Sequence, residues 1–166
     1  SRQMSCTAHQ RRAWLLLLTA ACSGYGPKGF TQSRSGYETK WFTQSLTHVR
    51  GDSRTFAQRY LVESYVGRGT APLPGPAPVL FYAGNEGPID GFWASAGFLQ
   101  YRGARWGAVV LFAEARYYGE SVPAHDIKWL KTELILADSA NLVTQLIPAE
   151  SPVVVFGGSY GGTLAT

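Results

Sequence analysis

A chain of 166 residues with 45% hydrophobic and 13% aromatic side chains, and only 16% charged ones, can bury the core of one domain and is not a disordered polypeptide. Its formal charge of +4 comes from one end. Three of the 15 basic residues (Arg2, Arg11, Arg12) and none of the 11 acidic ones fall in the first 22, so the remainder, 12 basic against 11 acidic, gives nucleic-acid binding no electrostatic support.

The chain opens with basic His9-Gln10-Arg11-Arg12, an apolar run from Ala13 to Ala21, and small Cys22-Ser23-Gly24. Those three parts predict a secretory signal over 1–23, cleaved near 21–24, with Met4 as initiator. The rival reading is a short buried helix; the run is far shorter than the roughly 20 residues of a membrane span. Cys6 and Cys22 both fall in this segment, so no disulfide is expected in the mature body. Thr19-Ala20-Ala21 is a poor lipoprotein signal, which argues against a lipid anchor on Cys22. No Asn-x-Ser/Thr site supports export independently.

Residues 24–36, rich in Gly, Ser and basic side chains, read as a flexible lead-in, with folded sequence starting near Tyr37. Stretches 38–46 and 55–63, separated by the turn formers Arg50-Gly51-Asp52-Ser53, predict a β-hairpin. Pro72, Pro74, Pro76 and Pro78 make an extended linker that no helix or central strand accepts. It delivers the chain to Val79-Leu80-Phe81-Tyr82, a short buried strand closed by Gly84-Asn85-Glu86-Gly87-Pro88. A mixed aromatic helix over 91–101 and a strand over 108–112 follow. Apolar residues at helical spacing predict a helix over 132–143, with Thr132 as N-cap and Pro148 and Pro152 beyond its end. Val153-Val154-Val155-Phe156 makes the last strand. Continuous apolar strands separated by helices predict an α/β protein with a mostly parallel sheet covered on both faces.

Gly157-Gly158-Ser159-Tyr160-Gly161 lies between that last strand and a run able to start a helix. A bare Gly-x-Ser-x-Gly is weak, but this context is that of a nucleophile elbow. A serine in so tight a turn crowds its neighbours, so positions 157 and 161 need glycine. The turn also aims backbone N–H groups where they stabilise the oxyanion of acyl transfer. A phosphate loop is excluded because no Gly-Lys-Ser/Thr follows, and a dinucleotide fingerprint fails on spacing.

Other polar clusters read more plainly. Gly84–Gly87 occupies the place of a second oxyanion loop, yet by itself a surface turn is the simpler reading. Over 114–121, an ordered loop is expected in which Arg116 pairs with Glu114 or Glu120. His48 and His125 read as exposed or structural, and His125-Asp126 are too close in sequence for a triad pair. Three histidines without paired cysteines or acids predict no metal site, and no cofactor is expected.

Several ordered stretches carry a resemblance. They are Trp41-Phe42-Thr43-Gln44-Ser45-Leu46-Thr47-His48, Thr55-Phe56-Ala57-Gln58-Arg59-Tyr60, Phe81-Tyr82-Ala83-Gly84-Asn85-Glu86-Gly87, Glu114-Ala115-Arg116-Tyr117-Tyr118-Gly119-Glu120-Ser121, Leu136-Ala137-Asp138 and Gly157-Gly158-Ser159-Tyr160-Gly161-Gly162. Over about residues 41–166 the chain resembles the serine peptidases that include lysosomal Pro-Xaa carboxypeptidase, dipeptidyl peptidase II and thymus-specific serine protease. The resemblance implies an α/β-hydrolase peptidase cutting next to proline, with Ser159 as nucleophile and the Tyr160 N–H as an oxyanion donor. It turns Gly84, Asn85 and Glu86, with Gly158, into the active-site wall. The chain departs from the family at Thr47 (usually an acid), Val49 (an aromatic) and Ala115 (a histidine).

The resemblance further implies that the catalytic acid, the histidine and a helical cap lie beyond residue 166. Residues 37–166 are then the N-terminal portion of the peptidase domain, ending after the elbow and inactive alone, since a serine without its base is a poor nucleophile. The expected partners are proline-containing peptides, with no nucleic acid and no stable membrane span, and a homodimer is admissible. The expected destination is the secretory pathway, lysosomal, vacuolar or extracellular. A secreted esterase or lipase of the same fold, and a non-catalytic truncated binding protein, are the competing readings. The strand at 153–156 is expected to leave an apolar edge unpaired.

Overall fold

The computed structural model describes residues 36–123 and 126–166. The expected signal segment 1–23, nearly all of the lead-in 24–36, both cysteines and His125 lie outside the described residues.

Five strands form one sheet: β1 (Glu38–Ser45), β2 (Thr55–Ser64), β3 (Val79–Tyr82), β4 (Val109–Ala113) and β5 (Val153–Phe156). Their spatial order is β1-β2-β4-β3-β5. The hairpin β1–β2 pairs Trp41 with Arg59, β2 runs antiparallel to β4, and β3 lies parallel to both β4 and β5. Only β2 is reversed, so the sheet is mostly parallel with a hairpin at one side. At the other side β5 pairs with β3 alone, and its outer edge has no strand partner among the described residues.

Strand periodicity decides which side chains face which layer. Val79 and Phe81 of β3 and Leu111 and Ala113 of β4 point to one core, with Ile135 and Leu142 of α3 (Thr132–Leu146) and Leu164 of α4 (Tyr160–Leu164). Leu80 and Tyr82, with Val110 and Phe112, point to the other, against Ile89 and Trp93 of α1 (Ile89–Ser95) and Leu99 of α2 (Gly97–Trp106). Each fully buried side chain of this size contributes roughly 1.5–3 kcal/mol. Two-sided burial is why β3 and β4 read as unbroken apolar runs rather than alternating ones.

Two expectations change. The single helix over 91–101 is two helices, because Ala96 turns to φ −104°, ψ 40° ahead of Gly97. Thr132 does not cap α3. Lys131 holds the N-cap position without a side-chain cap, and the Thr132 hydroxyl bonds that of Tyr160 at 2.9 Å instead. Among the described residues no helix is long and apolar enough to cross a membrane.

Candidate active site

Loops at the carboxyl ends of β3, β4 and β5 converge on one end of the sheet, where open α/β sheets hold ligands. Ser159 stands there between β5 and α4 with φ 53° and ψ −124°, a backbone conformation unusual for a residue with a Cβ. Holding it costs about 1–3 kcal/mol, so neighbouring structure must enforce it. The Ser159 side chain is exposed, and the chain reverses at once, with the Gly162 N–H bonding the Ser159 carbonyl at 3.0 Å.

The glycines around Ser159 answer specific contacts. A Cβ on Gly157 would fall inside the Gly161 carbonyl group. One on Gly161 would sit 2.8 Å from the Ala83 carbonyl oxygen and 3.1 Å from that of Gly84, at the end of β3. Gly158 is different: its nearest neighbour would be the Tyr82 hydroxyl at 3.7 Å, an ordinary contact.

Asn85 locks this turn. Its amide nitrogen donates to the Gly158 carbonyl at 2.7 Å, and its amide oxygen accepts from the Gly161 N–H at 3.1 Å, so one side chain straddles Ser159. Gly84 and Asn85 are buried and Glu86 is exposed. The surface-turn reading therefore fits exposed Glu86 and half-buried Gly87, and not Gly84 or Asn85. Among the described residues nothing accepts a hydrogen bond from the Tyr160 N–H, which leaves it available to a developing oxyanion. No imidazole or carboxylate among them bonds the Ser159 hydroxyl.

The loop after β4 is built on two buried charge clusters, and its pairing differs from expectation. Glu114, fully buried, accepts from Arg59 at 2.7 Å, from the backbone N–H groups of Ile89, Glu120 and Ser121 and from the Ser121 hydroxyl. Arg59 also reaches Asp90 and Glu120. Gly119 takes φ 54°, and any Cβ there would strike the Glu114 carboxylate. Arg116 pairs with neither Glu114 nor Glu120. Its guanidinium is fully buried and grips Asp138 of α3, because Glu114 already has a full set of donors. His48 bonds the same Asp138 at 2.7 Å, a structural role.

These contacts were hard to find from sequence, since His48 and Asp138 lie 90 positions apart. The quoted motifs contain both residues, but only the fold joins them.

Among the described residues, hollows open at both ends of the sheet. The larger, about 370 Å³, lies at the opposite end of the strands among Val62, Val79, Val109, Leu111, Leu146 and Ile147, and is mostly apolar. The other, about 240 Å³, opens beside Ser159's neighbour Tyr160 and is lined by Glu86, Tyr118, Leu130, Lys131 and Ile135 as well. The second adjoins the turn, since it shares Tyr160 with the turn and Glu86 with the loop that clasps it. Among the described residues no cluster of His, Cys, Asp and Glu could hold a metal.

The chain is 40% identical over 127 residues to the lysosomal Pro-X carboxypeptidase of Mus musculus, covering 69% of this chain and 25% of that protein. It is 35% identical over 125 residues to the thymus-specific serine protease of Mus musculus, covering 69% and 24%. It thus spans about a quarter of the length of the curated relatives it matches. A crystal structure of an alpha/beta hydrolase from Novosphingobium aromaticivorans DSM 12444 superposes with a TM-score of 0.54 at 22% identity, covering 79% of this chain and 38% of that one. That likeness speaks for the fold, which is that of the α/β hydrolases. Residues 44–166 match the family described as Serine carboxypeptidase S28, and this chain belongs to it.

Proposed function

We propose that the protein is a serine exopeptidase that cuts next to proline through an acyl-enzyme on Ser159. The observation that carries the reading is the exposed serine at φ 53°, held by Asn85 and flanked by glycines, in a chain of the serine carboxypeptidase S28 family. In this reading the Ser159 oxygen attacks the scissile carbonyl carbon while its proton passes to a base outside the described residues. The tetrahedral oxyanion is held by the Tyr160 N–H, with the wall of Gly84, Asn85, Glu86 and Gly158 beside it. Collapse breaks the C–N bond, and the leaving amine takes the proton; water then adds to the ester, returns a proton to Ser159 and releases the acid.

Proline preference is supported by the name of a relative, lysosomal Pro-X carboxypeptidase, at 40% identity. The same name supports a secretory route ending in the lysosome. The test is a fluorophosphonate probe on the full-length protein and on Ser159→Ala, with hydrolysis of Xaa-Pro amides compared with simple esters. Labelling lost in the variant, and amides preferred, are expected. Faster cleavage of simple esters would favour an esterase, and an unlabelled parent protein would remove Ser159 from the mechanism.

A further inference from the structure

The hollow beside Tyr160 holds two charged side chains of opposite sign, Glu86 on the loop after β3 and Lys131 at the start of α3. Tyr160 follows Ser159 in the chain, and its hydroxyl bonds that of Thr132, next to Lys131. The hollow is therefore one side chain away from the turn that carries Ser159. Of the described lysines, Lys40 pairs with Glu38 and Lys128 with Asp126. Lys131 has no ion-pair partner among the described residues.

We propose that Lys131 is a specificity-determining residue that binds the free carboxylate at the carboxyl end of a peptide whose scissile bond lies at Ser159. The proposal rests on the Ser159 reading and names the side chain that holds the peptide's free carboxyl end. Lys131 brings three N–H donors on a flexible stem. Tyr118, Thr132 and Tyr160 line the same hollow; the Thr132 and Tyr160 hydroxyls spend one proton on each other and keep the second as a donor suited to an anion. Leu130 and Ile135 supply an apolar floor for the terminal side chain. Glu86 repels a carboxylate, so it turns the peptide end toward Lys131 and disfavours acidic terminal residues.

The test uses the full-length protein and matched peptides ending in Pro-Xaa, as the free acid or the carboxamide. Lys131→Met is expected to raise KM for the acid about five- to tenfold, the size of one solvent-exposed charge-assisted contact, with little change in kcat. The preference for acid over amide shrinks by the same factor, and Lys131→Arg restores it. The proposal is overturned if the parent protein shows no such preference, or if Lys131→Met leaves it intact. It is also overturned if Glu86→Gln, and not Lys131→Met, weakens binding of substrates through a free amino end. Fluorophosphonate labelling of the same proteins separates the two failures. Absence of labelling in the parent removes the Ser159 reading, whereas labelling with an unaltered acid preference in Lys131→Met removes only the role of Lys131.

Discussion

Arg116 and Asp138 meet in a two-point ion pair inside the protein, with Nε 2.7 Å from Oδ2 and Nη2 2.6 Å from Oδ1. The same guanidinium donates to the carbonyls of Leu46 at 2.8 Å and Ser45 at 3.3 Å and stacks over Phe56. One side chain thus joins the loop after β4 to α3 and to the end of β1.

Breaking that pair leaves a charge buried without its partner. Asp138→Asn in the full-length protein is expected to destabilise by about 3–5 kcal/mol. His48→Ala, which removes one bond to a half-buried imidazole, is expected to lose about 1 kcal/mol. Urea unfolding of both variants checks the order; equal losses would mean that Arg116 does not carry the cluster.

In the reaction proposed for Ser159, Asn85 acts through the turn that it holds. Asn85→Ala removes both the Gly158 and the Gly161 bonds, and a nucleophile displaced by about 1 Å loses up to roughly 10²-fold in rate. Steady-state kinetics should show kcat falling with KM nearly unchanged. Asn85→Asp keeps the acceptor for Gly161 but sets a buried carboxylate oxygen against the Gly158 carbonyl oxygen, so a rate no higher than that of Asn85→Ala is expected.

Adjacent glycines should respond unequally to one methyl group. Gly157→Ala drives a Cβ into the Gly161 carbonyl, where both sides are backbone; a loss of about 3 kcal/mol, the upper end for overpacking, is expected together with loss of Ser159 labelling. Gly158→Ala meets the Tyr82 hydroxyl only at 3.7 Å and should keep its melting temperature. Thermal melts paired with probe labelling distinguish the two.

Asp90 gives the acid limb of stability a defined contributor. Burial pushes its carboxyl up, but the hydrogen bonds from Tyr37 and Arg59 outweigh burial and hold it below the ordinary aspartate value. A carboxylate with a lowered folded-state pKa stabilises above its unfolded value, about 3.9, and that contribution disappears as pH falls through the folded value. With 44% of the Asp90 side chain in water, the contribution is at most about 1 kcal/mol. Asp90→Asn should therefore lower Tm near neutral pH slightly and flatten its decline below pH about 4, measured by melts across that range.

Much of the sheet could be read directly because each strand declares itself locally. Val79–Tyr82 and Val153–Phe156 are short apolar runs bounded by proline and glycine, and their boundaries match the structure. The helix break at Ala96 was less legible, since a lone alanine before glycine resembles many positions inside helices. Arg116 misled for a different reason. Glu114 and Glu120 are its sequence neighbours, but Arg59, 55 positions away from Glu114, had already taken the nearer carboxylate.

Residue order alone determined the layered α/β class and placed a glycine-flanked serine after a β-branched strand, because strand burial and turn sterics depend on neighbours a few positions apart. Tertiary structure decided that Asn85 clasps residues 158 and 161, that Asp138 gathers Arg116 and His48, and that Lys131 shares a hollow with Glu86 and Tyr160. Such contacts depend on which strand ends are brought together by the order β1-β2-β4-β3-β5. That order is a property of the packed chain, and no local window of sequence contains it.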